Sequence, residues 1–216
     1  MKIFIPIKKD SQRVPNKNFR FFGGHPLWFH FLNKFKDDEV YVDTDCPELI
    51  KTIRSFKQFN NVIVYERPSD LKGHQVSVCK LIENFISKFN VTEIFVQLHV
   101  TNPFLERKTV VDAFKSMGSY DSVASCNQIN SRFWRKEDYG FVPINHNPLK
   151  LEQTQDLPTL YEENSCFYIM KPETFLRYGR IGNNPFFYHT NFPQNIDIDT
   201  EADWSFATTI HRCINE

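Results

Sequence analysis

Residues 2–20 read Lys2-Ile3-Phe4-Ile5-Pro6-Ile7-Lys8-Lys9-Asp10-Ser11-Gln12-Arg13-Val14-Pro15-Asn16-Lys17-Asn18-Phe19-Arg20. Lys2–Ile7 is an apolar run of the length of a buried strand, and it passes directly into a basic loop. Five of the thirteen residues from Lys8 to Arg20 are basic and only Asp10 is acidic, in a chain that carries 26 residues of each sign. Backbone N–H groups and Lys/Arg side chains at the end of a first strand can converge on phosphate oxygens. The loop therefore suits a polyanion such as a nucleoside triphosphate, with Ser11, Arg13, Lys17 and Asn18 as its candidate contacts. A solvated basic turn is the other reading of the same charges. Pro15 stiffens the turn, and Gly23-Gly24 lets the chain reverse before the next helix.

Downstream, strand-like and helix-like runs alternate. Strands are expected at Glu39–Asp43, Asn61–Tyr65, Glu93–His99 and Asp121–Cys126, and helices at Pro26–Phe35, Glu48–Phe56, Gln75–Phe89 and Arg107–Met117. Leu49, Ile50, Ile53 and Phe56 share one helical face, as do Cys79, Ile82, Phe85, Ile86 and Phe89. This alternation predicts an α/β fold in three layers, a mostly parallel sheet with helices on both faces, and ligands beyond the carboxyl ends of the strands. The rhythm fails over about 127–160, where Pro143, Pro148 and Pro158 interrupt and Phe133, Trp134 and Tyr139 follow no period. A mobile loop would read this way, but the aromatics favour an arm that packs on something, a second subunit included. A strand at Leu160–Met170, a short helix at Pro172–Tyr178 and a closing helix at Glu201–His211 complete a single domain over 1–216.

Composition excludes several classes. Balanced charge argues against a nucleic-acid or anionic-membrane binder. No apolar segment approaches the roughly 20 residues of a membrane helix, and no secretory leader is evident. Cys46, Cys79, Cys126, Cys166 and Cys213 are odd in number and dispersed, as free thiols of a cytoplasmic protein are. Gly-x-Ser-x-Gly, Walker A and Gly-x-Gly-x-x-Gly patterns are absent, against a serine hydrolase, a P-loop NTPase and a dinucleotide-binding oxidoreductase.

Two acidic pairs compete for a metal. In Ile196-Asp197-Ile198-Asp199-Thr200-Glu201, side chains at i and i+2 of an extended segment share a face, so Asp197 and Asp199 can reach one cation. Mg2+ typically takes one or two carboxylates together with substrate phosphates. Capping of the helix near Glu201 is the alternative use of Asp199 or Thr200. Asp43-Thr44-Asp45 forms an Asp-x-Asp at a strand end, as glycosyltransferases using nucleotide sugars do, although Asp45 also suits the cap of the helix after Pro47. Among the histidines only His99, at a strand end, is expected to face the ligand crevice.

In order, these segments resemble the sugar-acid cytidylyltransferases, the family of CMP-sialic acid synthetase and its octulosonate relatives. "IPIKKDSQRVPNKN" looks like the triphosphate loop, "VYVDTD" the second strand, "ERPSDL" an R-P-x-x-L element and "VQLHVTNPFL" a Q-P-T-S-P strand end. "YEENSCFYIM" is similar to N-G-A-I-Y, and "NIDIDTEADW" to S-I-D-I-D-T-E-x-D. The resemblance implies a Rossmann-like topology of the nucleotide-diphospho-sugar transferase type and a homodimer in which the arm at about 127–160 closes the neighbouring site. It implies that Lys8, Ser11, Arg13, Lys17 and Asn18 hold CTP, with Arg67 and Ser77 on the nucleotide side. Asp197 and Asp199 would bind Mg2+, and His99 and Asn164 would face the sugar acid. The implied reaction joins CTP to a 2-keto sugar acid, giving the CMP-sugar and pyrophosphate; Arg13, Lys17, Asp197 and Asp199 would carry it. A glycosyltransferase, another nucleotidyltransferase and a non-catalytic nucleotide-binding descendant are the alternatives. This chain departs from the sialic acid enzymes in Lys8 for Arg, in Ser11-Gln12-Arg13 for Ser-Lys-Gly, and in His99 for Gln.

Overall fold

The computed structural model describes residues 1–215. The elements run β1 (Lys2–Ile7), β2 (Phe21–Phe22), β3 (His25–Pro26), α1 (Leu27–Leu32), β4 (Glu39–Thr44), α2 (Pro47–Ser55), β5 (Val62–Glu66) and α3 (Val78–Phe89). They continue with β6 (Phe95–Leu98), α4 (Arg107–Lys115), β7 (Ser122–Ile129), β8 (Trp134–Glu137), β9 (Gly140–Pro143), β10 (Leu160–Met170), α5 (Pro172–Tyr178), β11 (Pro185–His189) and α6 (Glu201–Asn215). Seven strands form one sheet in the order β11-β7-β10-β6-β1-β4-β5. Only β10 runs against its neighbours, β6 and β7; the other pairings are parallel.

The alternation along β1 builds the three layers. Ile3, Ile5 and Ile7 point into a core with Trp28 and Phe31 of α1, Leu49 and Ile53 of α2, and Val110 and Ala113 of α4. Phe4 points to the other face, where Leu81, Ile82 and Phe85 of α3 and Phe175 of α5 pack. The Phe4 and Phe85 rings stack there at 4.8 Å. A third cluster carries Val14 of the basic loop, Phe22, Ile196, Ile198 and Trp204 of α6. It fastens the ends of the chain together at the carboxyl edge of the sheet.

The predicted alternation is present, with adjustments that have local causes. The helix expected over Pro26–Phe35 has Pro26 as N-cap and ends at Leu32. Lys34 and Phe35 then continue in tighter i→i+3 turns, donating to Phe31 O and Leu32 O, so the buried pattern outlasts the helix. The helix expected from Gln75 begins at Val78, because the Ser77 hydroxyl accepts from Cys79 N and sets the cap. β11 was not anticipated; it opens on a proline and its first four residues are all partly buried, so no period of two marks it. Within 127–160, β7 runs on to Ile129 and β8 and β9 pair as a hairpin.

Phe85 is wholly buried and stacks on the central strand. Phe85→Ala is expected to lower the unfolding free energy by about 3–5 kcal/mol, measured by urea denaturation.

Candidate active site

The carboxyl ends of β1, β5 and β6 open on a cleft of about 490 Å³, within the usual size of a ligand pocket. Lys8, Ser11, Arg13, Lys17, Asn18, Arg67, His99, Asp197 and Asp199 line it. Residues from four separate stretches of sequence thus meet in one concavity. Ser77 and Asn164 do not line it. The Ser77 hydroxyl is occupied as the α3 cap, and the Asn164 amide donates to Asn127 Oδ1 at 2.9 Å and to Thr190 Oγ1 at 2.7 Å.

The basic loop is held from both sides. Its start is pinned where Lys9 N donates to Asp45 Oδ1 at 2.7 Å and Asn18 Nδ2 donates to Lys8 O at 2.9 Å. Its far half is tied to the acidic segment before α6. Lys17 Nζ donates to Ile198 O and lies 3.4 Å from Asp199 Oδ1, while an Arg13 guanidinium nitrogen lies 2.9 Å from the same oxygen. Arg20 grips Glu201 through both carboxylate oxygens, at 2.6 and 2.8 Å, and lies over the Trp204 ring. The loop is therefore a structured cradle rather than a solvated turn.

The two acidic pairs have different fates. Ile196 and Ile198 are buried, and Ile198 N donates to Thr101 O at 2.9 Å, which turns Asp197 and Asp199 toward the cleft. Thr200 and Asp203 make the α6 cap: Asp203 Oδ2 accepts from Asp199 N and Thr200 N, and Asp203 N donates to Thr200 Oγ1. That reciprocal arrangement releases the Asp199 carboxylate from capping. Asp197 Oδ1 is buried without a hydrogen-bond partner. Burial, followed by the charge of Asp199, pushes the Asp197 carboxyl up from its ordinary value. A buried oxygen without a donor is a position a cation can satisfy. Among the described residues no cluster of three or more His, Cys, Asp or Glu could hold a metal, and a carboxylate pair alone supplies only part of the shell that a hard cation such as Mg2+ takes.

Asp43 and Asp45 are spent elsewhere. Asp43 is fully buried on the Arg67 guanidinium, and Asp45 accepts from the loop instead of capping α2, whose N-cap is Cys46. Neither is placed to share a metal with the other, which removes the support for a glycosyltransferase centre there.

His99 belongs to a polar chain that sequence alone did not reveal. Arg180 donates to Gln97 Oε1 at 3.4 Å, so the Gln97 amide nitrogen faces His99 Nε2, 2.5 Å away. Arginine offers donors only. His99 Nε2 must then accept, which leaves the ring neutral with its proton on Nδ1. Burial, then the charges of Arg180 and Lys17, take its pKa down to about 4. Arg180, Ser165 and Thr101 also line the cleft. Arg180 escaped the sequence reading because it follows the α5 terminus in an unpatterned segment; Gly179, at φ 79°, was its only local signal. Ser165 stands where the related motif has Gly and takes φ 58°.

An imidazole NMR titration should find His99 neutral from about pH 5.5 to 8. Its pKa falls on folding from 6.5 to about 4, so the unfolded chain binds the proton more readily. Its contribution makes stability fall as pH drops from about 6.5 toward about 4. Titration of folded His99 near 6.5 would contradict the donor order through Gln97.

Comparison with known proteins identifies the family of the chain. The family model described as Cytidylyltransferase matches residues 3–212. An N-acylneuraminate cytidylyltransferase of Streptococcus agalactiae is 26% identical over 93% of this chain and 50% of its own length. The chain thus spans about half the length of that relative. A pseudaminic acid cytidylyltransferase of Campylobacter jejuni is 24% identical over 98% of this chain and 96% of its own. Among solved structures, CMP:2-keto-3-deoxy-manno-octonic acid synthetase complexed with CTP superposes with a TM-score of 0.67 at 15% identity, covering 97% of both chains. A 4-diphosphocytidyl-2C-methyl-D-erythritol synthase from Anaerococcus prevotii gives 0.65 at 12% identity, covering 97% of this chain and 96% of its own. With nearly its whole length inside the family model, the chain belongs to the cytidylyltransferase family.

Proposed function

We propose that this protein activates a 2-keto sugar acid, a sialic acid-like nonulosonate or an octulosonate, with CTP, releasing pyrophosphate. The observation that carries this reading is the convergence of the basic loop and the Asp197/Asp199 pair in one cleft. Family membership and the names of the two cytidylyltransferase relatives support it.

The triphosphate would lie against Lys8, Ser11, Arg13, Lys17 and Asn18. Arg13 and Lys17 neutralise Asp199 and would turn to phosphate oxygens when the nucleotide arrives. There they stabilise the charge that grows on the departing pyrophosphate; positioning and electrostatics supply most of the catalysis in such transfers. Arg67 lies too deep against Asp43 to act as a free cation, and its role is to shape the nucleotide side. The sugar's anomeric hydroxyl attacks the α-phosphorus in line. The new O–P bond forms as the bond to the pyrophosphate oxygen breaks, and the hydroxyl proton passes to Asp197 or to a water beside the carboxylate pair. Asp197 and Asp199 would hold Mg2+, which when bound neutralises phosphate charge and acidifies the attacking hydroxyl. His99 presents a neutral Nδ1–H to the sugar acid.

The protein would work in the cytoplasm as a homodimer, and among the described residues no helix is long and apolar enough to cross a membrane. The hairpin β8–β9 and the segment after it expose Tyr139 (84%), Phe141 (68%), Leu149 (96%) and Leu151 (89%), an apolar surface suited to a second copy.

Pyrophosphate release from CTP and Mg2+ with a panel of sugar acids tests the activity. Asp197→Asn should lower kcat on the order of 100-fold or more. Arg13→Ala should weaken CTP binding about 10- to 100-fold, the loss of a charge-assisted contact. Full activity in the Asp197→Ala, Asp199→Ala double variant would rule out the carboxylate assignment. Light scattering after gel filtration should show a dimer that Phe141→Asp with Leu149→Asp converts to monomer.

A further inference from the structure

Of the cleft's two arginines outside the phosphate loop, Arg67 and Arg180, only Arg180 is not spent on a buried carboxylate. Arg13 and Lys17 meet on Asp199, Arg67 is consumed by Asp43, and Lys8 Nζ lies 3.4 Å from His74 Nδ1. Arg180 approaches from the α5 side of the sheet instead. Its guanidinium lies 4.1 Å above the Tyr168 ring and reaches Gln97 Oε1 at the end of β6. The Tyr168 hydroxyl is itself held, donating to Glu163 Oε1. A guanidinium on an aromatic face keeps its donor edge directed and loses little freedom on binding.

Most of those donors are unspent. The Gln97 contact is long, at 3.4 Å, and Glu163 stands 4.0 Å away, an ion pair beyond hydrogen-bond range. Arg180 is only one-quarter exposed, so the remaining N–H groups are aimed into a partly dry cleft. Ser165 lines the cleft beside it. Its Oγ lies 3.1 Å from Tyr168 Oη. Ser165 occupies the left-handed region, at φ 58°, in the bulge that breaks the β10 register between Glu163 and Tyr168. A non-glycine residue held in that region marks a constraint imposed by its surroundings, often a functional one. The bulge sets a hydroxyl on the same cleft as the guanidinium, and His99 lines that cleft too, within reach of the charges of Arg180 and Lys17.

We propose that Arg180 binds the carboxylate of the sugar acid and so orients its anomeric hydroxyl toward the nucleotide, the Ser165 hydroxyl turning from Tyr168 Oη to serve as a second donor. The planar fork of a guanidinium matches a carboxylate through two parallel hydrogen bonds, whereas the phosphate loop offers a set of converging point donors. Two anions therefore have two separate seats. This assignment rests on the sugar-acid reading above.

The test uses steady-state pyrophosphate release with N-acetylneuraminate, pseudaminate and 3-deoxy-manno-octulosonate, each also supplied as its 1-carboxamide. Arg180→Gln should raise KM for the acid that the native protein uses best about 10- to 100-fold, with KM for CTP and the CTP-induced thermal shift changed less than about twofold. It should also abolish the preference for acid over carboxamide, which a merely structural arginine would not do. Arg180→Lys should recover part of the preference, since it keeps the charge and loses the fork. Ser165→Gly suits φ 58° at least as well as serine, so it should leave thermal stability undiminished while raising KM for the acid a few-fold. The proposal is overturned if Arg180→Gln keeps the acid preference, or if its defect appears in KM for CTP instead. Absence of pyrophosphate release by the native protein with every acid, despite CTP-induced stabilisation, would overturn the sugar-acid reading and this assignment together.

Discussion

One ammonium group joins the two ends of the site. Lys17 is almost entirely buried, and a buried cation is tolerated only when hydrogen-bonded and paired. Its partners are the Ile198 carbonyl and the Asp199 carboxylate, 181 and 182 residues away in the chain. The basic loop cannot fold against the sheet without the acidic segment, and the acidic segment is presented by the same contact. The third hydrophobic cluster shares the joint, since Val14, Ile196, Ile198 and Trp204 pack around it. Arg20 repeats the tie one turn outward through Glu201.

Within the cleft, opposite charges are already in contact. Arg13 and Lys17 stand on Asp199, a provisional arrangement in which the loop's cations and the acidic segment's charge cancel. A triphosphate accompanied by Mg2+ offers the same balance with the partners exchanged, cations to phosphate and carboxylates to metal. That exchange costs little desolvation, because charges that were paired stay paired. Asp197 is the exception. Its Oδ1 has no partner in the protein and the residue lines the cleft, whereas Asp43 lies outside the cleft lining, fully buried against Arg67.

Much of this was legible in the sequence. The odd-numbered isoleucines of β1, the helical stripe of α3 and the basic run after Ile7 are local patterns governed by backbone periodicity and by charge density. The i, i+2 spacing of Asp197 and Asp199 between buried isoleucines also survives intact, because an extended segment turns alternate side chains to one side. Elements without a period were hidden. β11 begins with proline and is half-covered on both faces, and the β8–β9 hairpin exposes aromatics that follow no rule of burial. Ser77 and Asn164 matched motifs, yet one hydroxyl caps a helix and the other amide is tied to Asn127 and Thr190. A motif cannot report which hydrogen bonds a side chain has already made.

By itself the sequence determined the layered α/β fold, the position of the phosphate loop at the end of the first strand, and the pair of carboxylates facing it. Each follows from interactions between residues a few positions apart, which composition and spacing express directly. Tertiary structure alone decided that Asp43 is spent on Arg67, that His99 is neutral through Gln97, and that Arg180 stands over Tyr168 with its donors turned into the cleft. Those facts depend on side chains brought together from separate strands and helices. Hydrogen-bond direction and charge compensation across such distances are properties of the packed assembly, and no local pattern carries them.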